Sequence, residues 1–196
     1  MPRIYRSIIK TVLQSKNLYL VLEGGNNIKK KEAIKFQTER LVLRPKAEKD
    51  IPNMFKMFNN NEVREFLGGY PPRDEHSMLK MVRGRKETEW AVALKDTDEY
   101  IGEVLIPKIV DDYLGEIGYL FLREYWGNGF AYEAVSTIIE YCNNTLKLKR
   151  LCANIDNNNL KSKKLIEKLG FNLIAVLPEA DLGGRVADMA YYTRTL

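Results

Sequence analysis

Apolar positions follow two rhythms along most of this chain. Short alternating runs mark strands, and longer runs with an apolar residue every three or four positions mark helices. Leu41–Leu43 predicts a strand stopped by Pro45, and Asp50 with Pro52 suits a helix start ahead of Met54, Phe55 and Phe58. Glu62–Leu67 predicts a second, short helix ended by the turn-forming Gly68, Gly69, Tyr70, Pro71 and Pro72, and a third helix runs over about Asp74–Arg85. Strands near Glu89–Leu94 and Tyr100–Pro107 lead to a central strand over about Tyr113–Leu122. The helix that follows carries Val135, Ile138, Ile139, Cys142 and Leu146 on one stripe, so that stripe faces a sheet. A strand at Leu151–Ile155, a helix at Leu160–Leu169 closed by Gly170, and strands at Phe171–Leu177 and Val186–Thr193 complete the pattern. Strands mixed with helices, without a regular βαβ repeat, predict an α+β layer structure.

The first 37 residues differ in kind. Ile4, Ile8, Ile9, Val12 and Leu13 recur at helical spacing, the apolar Leu18–Leu22 follows, and Gly24 to Asn27 predicts a turn ahead of Lys29, Lys30 and Lys31. Residues 1–38 hold eight Lys/Arg against two Asp/Glu, a net of +6; the remaining 23 basic and 24 acidic residues give −1. The +5 of the whole chain therefore belongs to a basic extension over 1–37, and the body from 38 to 196 shows no charge that argues for a general nucleic-acid surface. The extension is expected to pack on the body or on a second subunit, as in a homodimer, in preference to tethering a nucleic acid or a membrane.

Composition narrows the classes further. A chain of 196 residues with ordinary apolar and charged fractions suits one globular domain. No apolar run approaches the roughly 20 residues of a membrane span, so no membrane association is expected. Cys142 and Cys152 lack metal-ligand spacing and predict buried, reduced thiols in a cytoplasmic protein, and a single histidine, His76, argues against a zinc site; no metal is expected.

The chemistry concentrates between Glu116 and Ala134. A strand feeds a turn in which Gly127 and Gly129, followed by Ala131, leave backbone N–H groups uncovered where a helix begins. Such groups, with the positive end of the helix dipole, make a phosphate or pyrophosphate site. Some 30 residues later comes Asn157-Asn-Asn-Leu-Lys-Ser-Lys-Lys-Leu-Ile-Glu-Lys-Leu-Gly-Phe171.

These two segments together resemble the GNAT superfamily of acyl-CoA-dependent N-acetyltransferases. Trp126-Gly-Asn-Gly-Phe-Ala131 is similar to its Q/R-x-x-G-x-G/A acyl-CoA motif, and Asn159 to Ser162 with Glu167 to Phe171 is similar to its N-x-x-S…E-K-x-G-F segment. Thr38-Glu-Arg-Leu-Val-Leu-Arg-Pro45, Glu116-Ile-Gly-Tyr119 and Asp188 resemble the RimJ/RimL-like branch, whose known members acetylate protein N-terminal amines. The resemblance implies a mixed, mostly antiparallel sheet flanked by helices from about Thr38 to the C-terminus, acetyl-CoA as co-substrate, and direct transfer to a primary amine in a ternary complex. A protein N-terminus is the expected acceptor. The alternatives are a polyamine or aminoglycoside, for which Glu62, Glu65, Asp74 and Glu75 supply carboxylates, or an acyl-CoA-binding regulator without turnover.

Roles follow from the same resemblance. Glu116 is the expected base and Glu103 on the adjacent strand its alternative, also placed toward the acceptor. Backbone groups of Leu120, Phe121 and Leu122 are expected to pair with the pantetheine arm and stabilise the carbonyl oxygen. The amides of Gly127, Asn128, Gly129, Phe130, Ala131 and Tyr132 are expected to hold the pyrophosphate, with Arg123 and Lys161 within reach of phosphates. Asn159 is expected to orient the pantetheine arm or to cap the helix. Ser162 is expected to face the leaving thiolate, because Ile166 stands where many relatives carry the tyrosine that protonates it. Phe66 and Tyr70 are expected to line the acceptor pocket.

Overall fold

The computed structural model describes residues 34–67, 74–84, 86–181 and 185–196. The expected N-terminal helix, the apolar Leu18–Leu22 and the loop carrying Tyr70 lie outside the described residues. Eight strands form one sheet in the order β1-β2-β3-β4-β5-β6-β8-β7. They are β1 (Phe36–Gln37), β2 (Leu41–Arg44), β3 (Glu89–Leu94), β4 (Tyr100–Val110), β5 (Leu114–Phe121), β6 (Arg150–Asp156), β7 (Asn172–Asp181) and β8 (Val186–Thr195). All neighbours pair antiparallel except β5 and β6, which are parallel. Among the described residues five α-helices accompany them: α1 (Ile51–Asn59), α2 (Asn61–Arg64), α3 (Glu75–Arg83), α4 (Phe130–Asn144) and α5 (Leu160–Lys168).

The sheet separates two apolar clusters. On one face the stripe of α4, with Val135, Ile138, Ile139 and Cys142, packs with Ile166 of α5 against Leu41, Trp90, Val104, Ile117 and Phe121. On the other, Met54, Met57 and Phe58 of α1 and Met78 and Val82 of α3 cover Ala91, Tyr100 and Leu122. The helix starts match their sequence signals. Pro52 lies in the first turn of α1, Asn60 caps α2 through the amides of Glu62 and Val63, and Asp74 caps α3 through the amide of Ser77. Among the described residues, no helix is long and apolar enough to cross a membrane. Cys142 and Cys152 are buried free thiols, and burial pushes the first up to about 12 and the second to about 11.

Three differences from the sequence pattern have physical causes. β1 lies within the basic stretch: Phe36 stacks edge-on against Trp90 and Tyr141, and Trp90 Nε1 donates to the carbonyl of Ile34 at 3.2 Å. β4 continues through Pro107 to Val110, and β7 through Pro178 to Asp181. In both, the register shifts around the proline, between Leu105 and Lys108 and between Leu177 and Ala180. A bulge tolerates the missing N–H, so a proline there does not end the strand.

Candidate active site

The two edges of β5 are unequally paired. Toward β4 it is matched from Leu114 opposite Val110 to Phe121 opposite Gly102. Toward β6 the pairing covers only Leu114–Glu116 against Arg150–Cys152, while β6 stays with β8 as far as Asp156 opposite Met189. Beyond Glu116 the parallel strands part and leave a wedge. The amide of Leu122 donates to the carbonyl of Ile101 at 2.9 Å. Antiparallel alternation then turns Leu120 toward Glu103 and points the amides of Tyr119 and Phe121 into the wedge. This corrects the expectation for Leu120–Leu122: of the three, only Phe121 presents its N–H to the open edge. Its carbonyl accepts from Trp126 Nε1 at 2.9 Å.

After β5 the chain turns into α4 through Gly127 and Gly129, both at φ +80°. Glycine suits this conformation because a Cβ would be strained in it. Gly129 is the N-cap and offers no side chain, and the amides from Gly127 to Tyr132 have no carbonyl partner among the described residues. These uncovered donors at the positive end of a four-turn helix form a cradle suited to an anion.

Thr38 and Arg40, at the entrance to β2, brace that cradle. Arg40 Nη1 donates to the carbonyl of Asn128 at 3.0 Å, and Nε and Nη2 each reach Glu133 Oε2 at 2.7 Å. Glu133 Oε1 accepts from Thr38 Oγ1 at 2.6 Å and from the Arg40 amide at 3.0 Å. The guanidinium also covers the Phe130 ring at 4.6 Å. Burial pushes the Glu133 carboxyl up, but the bonds from Thr38 and Arg40 outweigh it and hold the group below its ordinary value. The sequence carried these residues only as a branch resemblance; their physical link spans 95 positions from Thr38 to Glu133.

The far wall of the wedge is α5. Asn159 caps it, its Oδ1 accepting from the Ser162 amide at 3.1 Å, so that oxygen is committed to the helix. Ser162 Oγ lies 2.7 Å from Tyr119 Oη across the wedge. Ile166 is fully buried in the core and carries no polar group to offer the wedge. Arg123 and Lys161 flank the Trp126 ring, each 4.9 Å from its centre, and Arg123 Nε donates to Glu62 Oε2 at 2.5 Å. Both cations are engaged at the mouth of the wedge and stand beside the glycine turn.

Glu116 sits at the vertex, the last residue of β5 paired with β6. It is half-buried, and Asn154 Nδ2 donates to its Oε1 at 3.0 Å. Alternation puts Glu116 on the opposite face of β5 from Ile117, Tyr119 and Phe121. A carboxylate therefore stands on one side of the wedge, with the Tyr119–Ser162 pair and the anion cradle on the other. Glu103 belongs elsewhere. It is 3 % exposed, Lys46 Nζ binds its Oε2 at 2.8 Å, and Tyr100 Oη donates to the same oxygen at 3.3 Å. A carboxylate sealed against a buried ammonium can neither meet an acceptor nor take its proton, which removes Glu103 from both roles expected of it. Phe66 is half-buried just past α2, and Tyr70 lies outside the described residues.

Residues 40–172 match the family model described as an acetyltransferase (GNAT) domain, which covers more than half of the sequence. The chain belongs to the GNAT family and is an N-acetyltransferase of it. It is 30 % identical over 149 residues to YoaA of Bacillus subtilis, an uncharacterized N-acetyltransferase, covering 72 % of this chain and 84 % of that one. The fold is similar to that of a GNAT-family acetyltransferase from Bacillus anthracis, with a TM-score of 0.76 and 22 % identity over 83 % of this chain and 98 % of the other. It is also similar to a putative ribosomal-protein-serine acetyltransferase from Vibrio cholerae (TM-score 0.72, 19 % identity, 83 % and 98 % covered). A spermidine N-acetyltransferase from Vibrio cholerae, solved with CoA and spermine, shares the fold at a TM-score of 0.70 and 20 % identity, with 81 % and 96 % covered. The expected mixed, mostly antiparallel sheet flanked by helices is thus the GNAT fold.

Proposed function

We propose that this protein acetylates the N-terminal amine of a protein or peptide, by direct transfer from acetyl-CoA in a ternary complex. The observation that carries the reading is the wedge between β5 and β6, open at Tyr119 and Phe121 and leading to the uncapped start of α4. Its free amides and positive-φ glycines fit a pyrophosphate and an extended amide-bearing arm. Acetyl-CoA, when bound, supplies the activated acetyl group.

The chain's own residues do the rest. The amides from Gly127 to Tyr132 hold the pyrophosphate, and Arg40 keeps Glu133 neutralised beside them. Tyr119 and Phe121 offer strand-edge groups to the pantetheine arm, and the Phe121 amide is the donor placed for the carbonyl oxygen; as a backbone group it needs no reorganisation. Asn159 retains its Nδ2 for the same arm. Glu116 takes the proton from the attacking amine, directly or through one water, and Asn154 holds its carboxylate in place. Ser162 faces the leaving sulfur.

One carboxylate at the vertex suits one amine. An N-terminal amine, with an ordinary pKa of about 7.7–8.0, is partly neutral near physiological pH and needs only a modest base. A polycation asks for several free carboxylates. Here Glu62 is bound by Arg123, Glu103 by Lys46, Glu124 by Lys56, and Asp74 is committed to the cap of α3. Glu65 and Glu75 keep the polyamine reading as the alternative, which the fold shared with the spermidine enzyme also supports.

The test is thiol release from acetyl-CoA with three acceptors: a peptide with a free N-terminus, the same peptide N-acetylated, and spermidine. Release with the free peptide alone is expected. Faster release with spermidine would transfer the assignment to polyamines. Tight CoA binding without release for any amine would remove turnover altogether.

A further inference from the structure

Ser162 is a weak acid at a place where proton donation is wanted, and Ile166 brings no help. What the structure adds is Tyr119. Its ring belongs to the α4/α5 face of β5, and its hydroxyl crosses the wedge to Ser162, 43 positions later. At 2.7 Å the oxygens lie at the usual O–H···O separation. A serine in the first turn of a helix commonly returns its hydroxyl to its own backbone. Here Asn159 already satisfies the Ser162 amide, and the hydroxyl meets Tyr119 instead.

Counting hydrogens shows what one direction of this bond would do. The half-buried Tyr119 phenol has two protein acceptors within reach, Ser162 Oγ at 2.7 Å and, more weakly, the Ser162 carbonyl at 3.4 Å. If Tyr119 donates to Oγ, the single hydrogen of Ser162 is left to point elsewhere. Burial pushes the Tyr119 phenol up to about 12, so it keeps its proton throughout the neutral range. A hydroxyl that accepts one hydrogen bond is also polarised to give a better one.

We propose that Tyr119 is a positioning residue for the leaving group: by donating to Ser162 Oγ it turns the Ser162 hydrogen toward the thioester sulfur. This rests on the reading of Ser162 as the group that faces that sulfur. No proton leaves the pair. Ser162 stabilises the thiolate by a hydrogen bond as the C–S bond breaks, and water protonates it afterwards.

The test needs no acceptor. Free CoA is bound to the protein and its thiol is titrated through the ultraviolet absorbance of the thiolate, in wild type, Y119F, S162A and the double variant. With the pair intact the bound thiol titrates lowest. Y119F should raise its pKa by about one unit, S162A by at least as much, and Y119F should add nothing in the S162A background. CoA affinity within about twofold of wild type would show that Y119F, which loses one oxygen, keeps its fold. Should it not, S162A still tests the pair from its other member, since a thiol indifferent to S162A overturns the proposal. So does equal titration in wild type and Y119F, or a Y119F shift that survives in S162A. Failure of the wild-type protein to bind CoA would overturn the site itself; tight binding with an indifferent thiol overturns only the role of Tyr119.

Discussion

The two faces of the sheet are organised by different chemistry. On the α4/α5 face, the groups suited to recognition are mainly backbone: amides freed by two left-handed glycines, a helix start without a cap, and a strand edge without a neighbour. On the α1–α3 side, polar groups are largely tied up in ion pairs, most of them between distant parts of the chain. Lys46 meets Glu103, Arg44 forms a two-pronged pair with Asp50 and also binds Asp98, and Arg123 meets Glu62. Backbone geometry that depends on local sequence tolerates exchange of most side chains. Paired charges under a helical layer do not, and beside the wedge they leave the half-buried Glu116, held by Asn154.

The sharpest way to break this division is at Glu116. Glu116→Gln should lower kcat by about a hundredfold or more while CoA affinity stays within twofold, because only the acceptor side loses its base. An unchanged pH–rate profile would discharge Glu116 from that role. Comparable in size, but read in stability, is Lys46→Met, which leaves the Glu103 carboxylate buried without its cation. A loss of about 3–5 kcal/mol in chemical denaturation is expected, most of it recovered when Glu103→Leu is added. If the double variant is no better than the single, the pair is not what holds this side together.

On the α4/α5 face, Gly129→Asp should weaken CoA binding tenfold or more, since it sets an anion in the cradle. Gly129→Asn, which tolerates the same φ, should cost clearly less. Equal losses would assign the whole effect to backbone strain. The smallest effect belongs to Arg40→Met, a few-fold in CoA affinity, because an exposed ion pair contributes little. Its pH dependence has a definite sign. The Glu133 carboxyl titrates below its ordinary 4.5, so the brace is complete above that value and is lost only as the pH falls through the lower folded value. The affinity ratio of wild type to Arg40→Met, measured by calorimetry, should therefore be flat from about pH 8 to pH 5 and shrink in more acidic solution.

Sequence reasoning reached the first face more readily than the second. The stripe of α4 and the need for glycine at 127 and 129 are local properties, decided within one or two helical turns. β1 escaped because two residues inside a basic stretch carry no period, and Pro107 and Pro178 read as strand ends until the register shifts beside them are seen. Glu103 and Glu116 look equivalent as glutamates on adjacent strands. What separates them is Lys46, 57 positions before the first of them, and no spacing rule brings that residue in. The parity of Leu120, Phe121 and Leu122 likewise depends on the partner strand: one step of register against β4 exchanges which amides face the wedge. Thr38 and Arg40 enter from the sequence only as part of a resemblance, and their bonds to Glu133 appear only in the fold.

The sheet is, mechanically, two plates joined by a short hinge. Three residue pairs between β5 and β6 connect β1–β5 to β6–β8. At the middle of that hinge stands Gly115, where a Cβ would lie 2.9 Å from Leu148 Cδ1 and 3.0 Å from Leu151 Cδ2. An added methyl group would act as a shim, levering the plates apart from behind. The width of the cleft, some 10–20 Å away along the strands, is thus expected to respond to a side chain added at a residue remote from it.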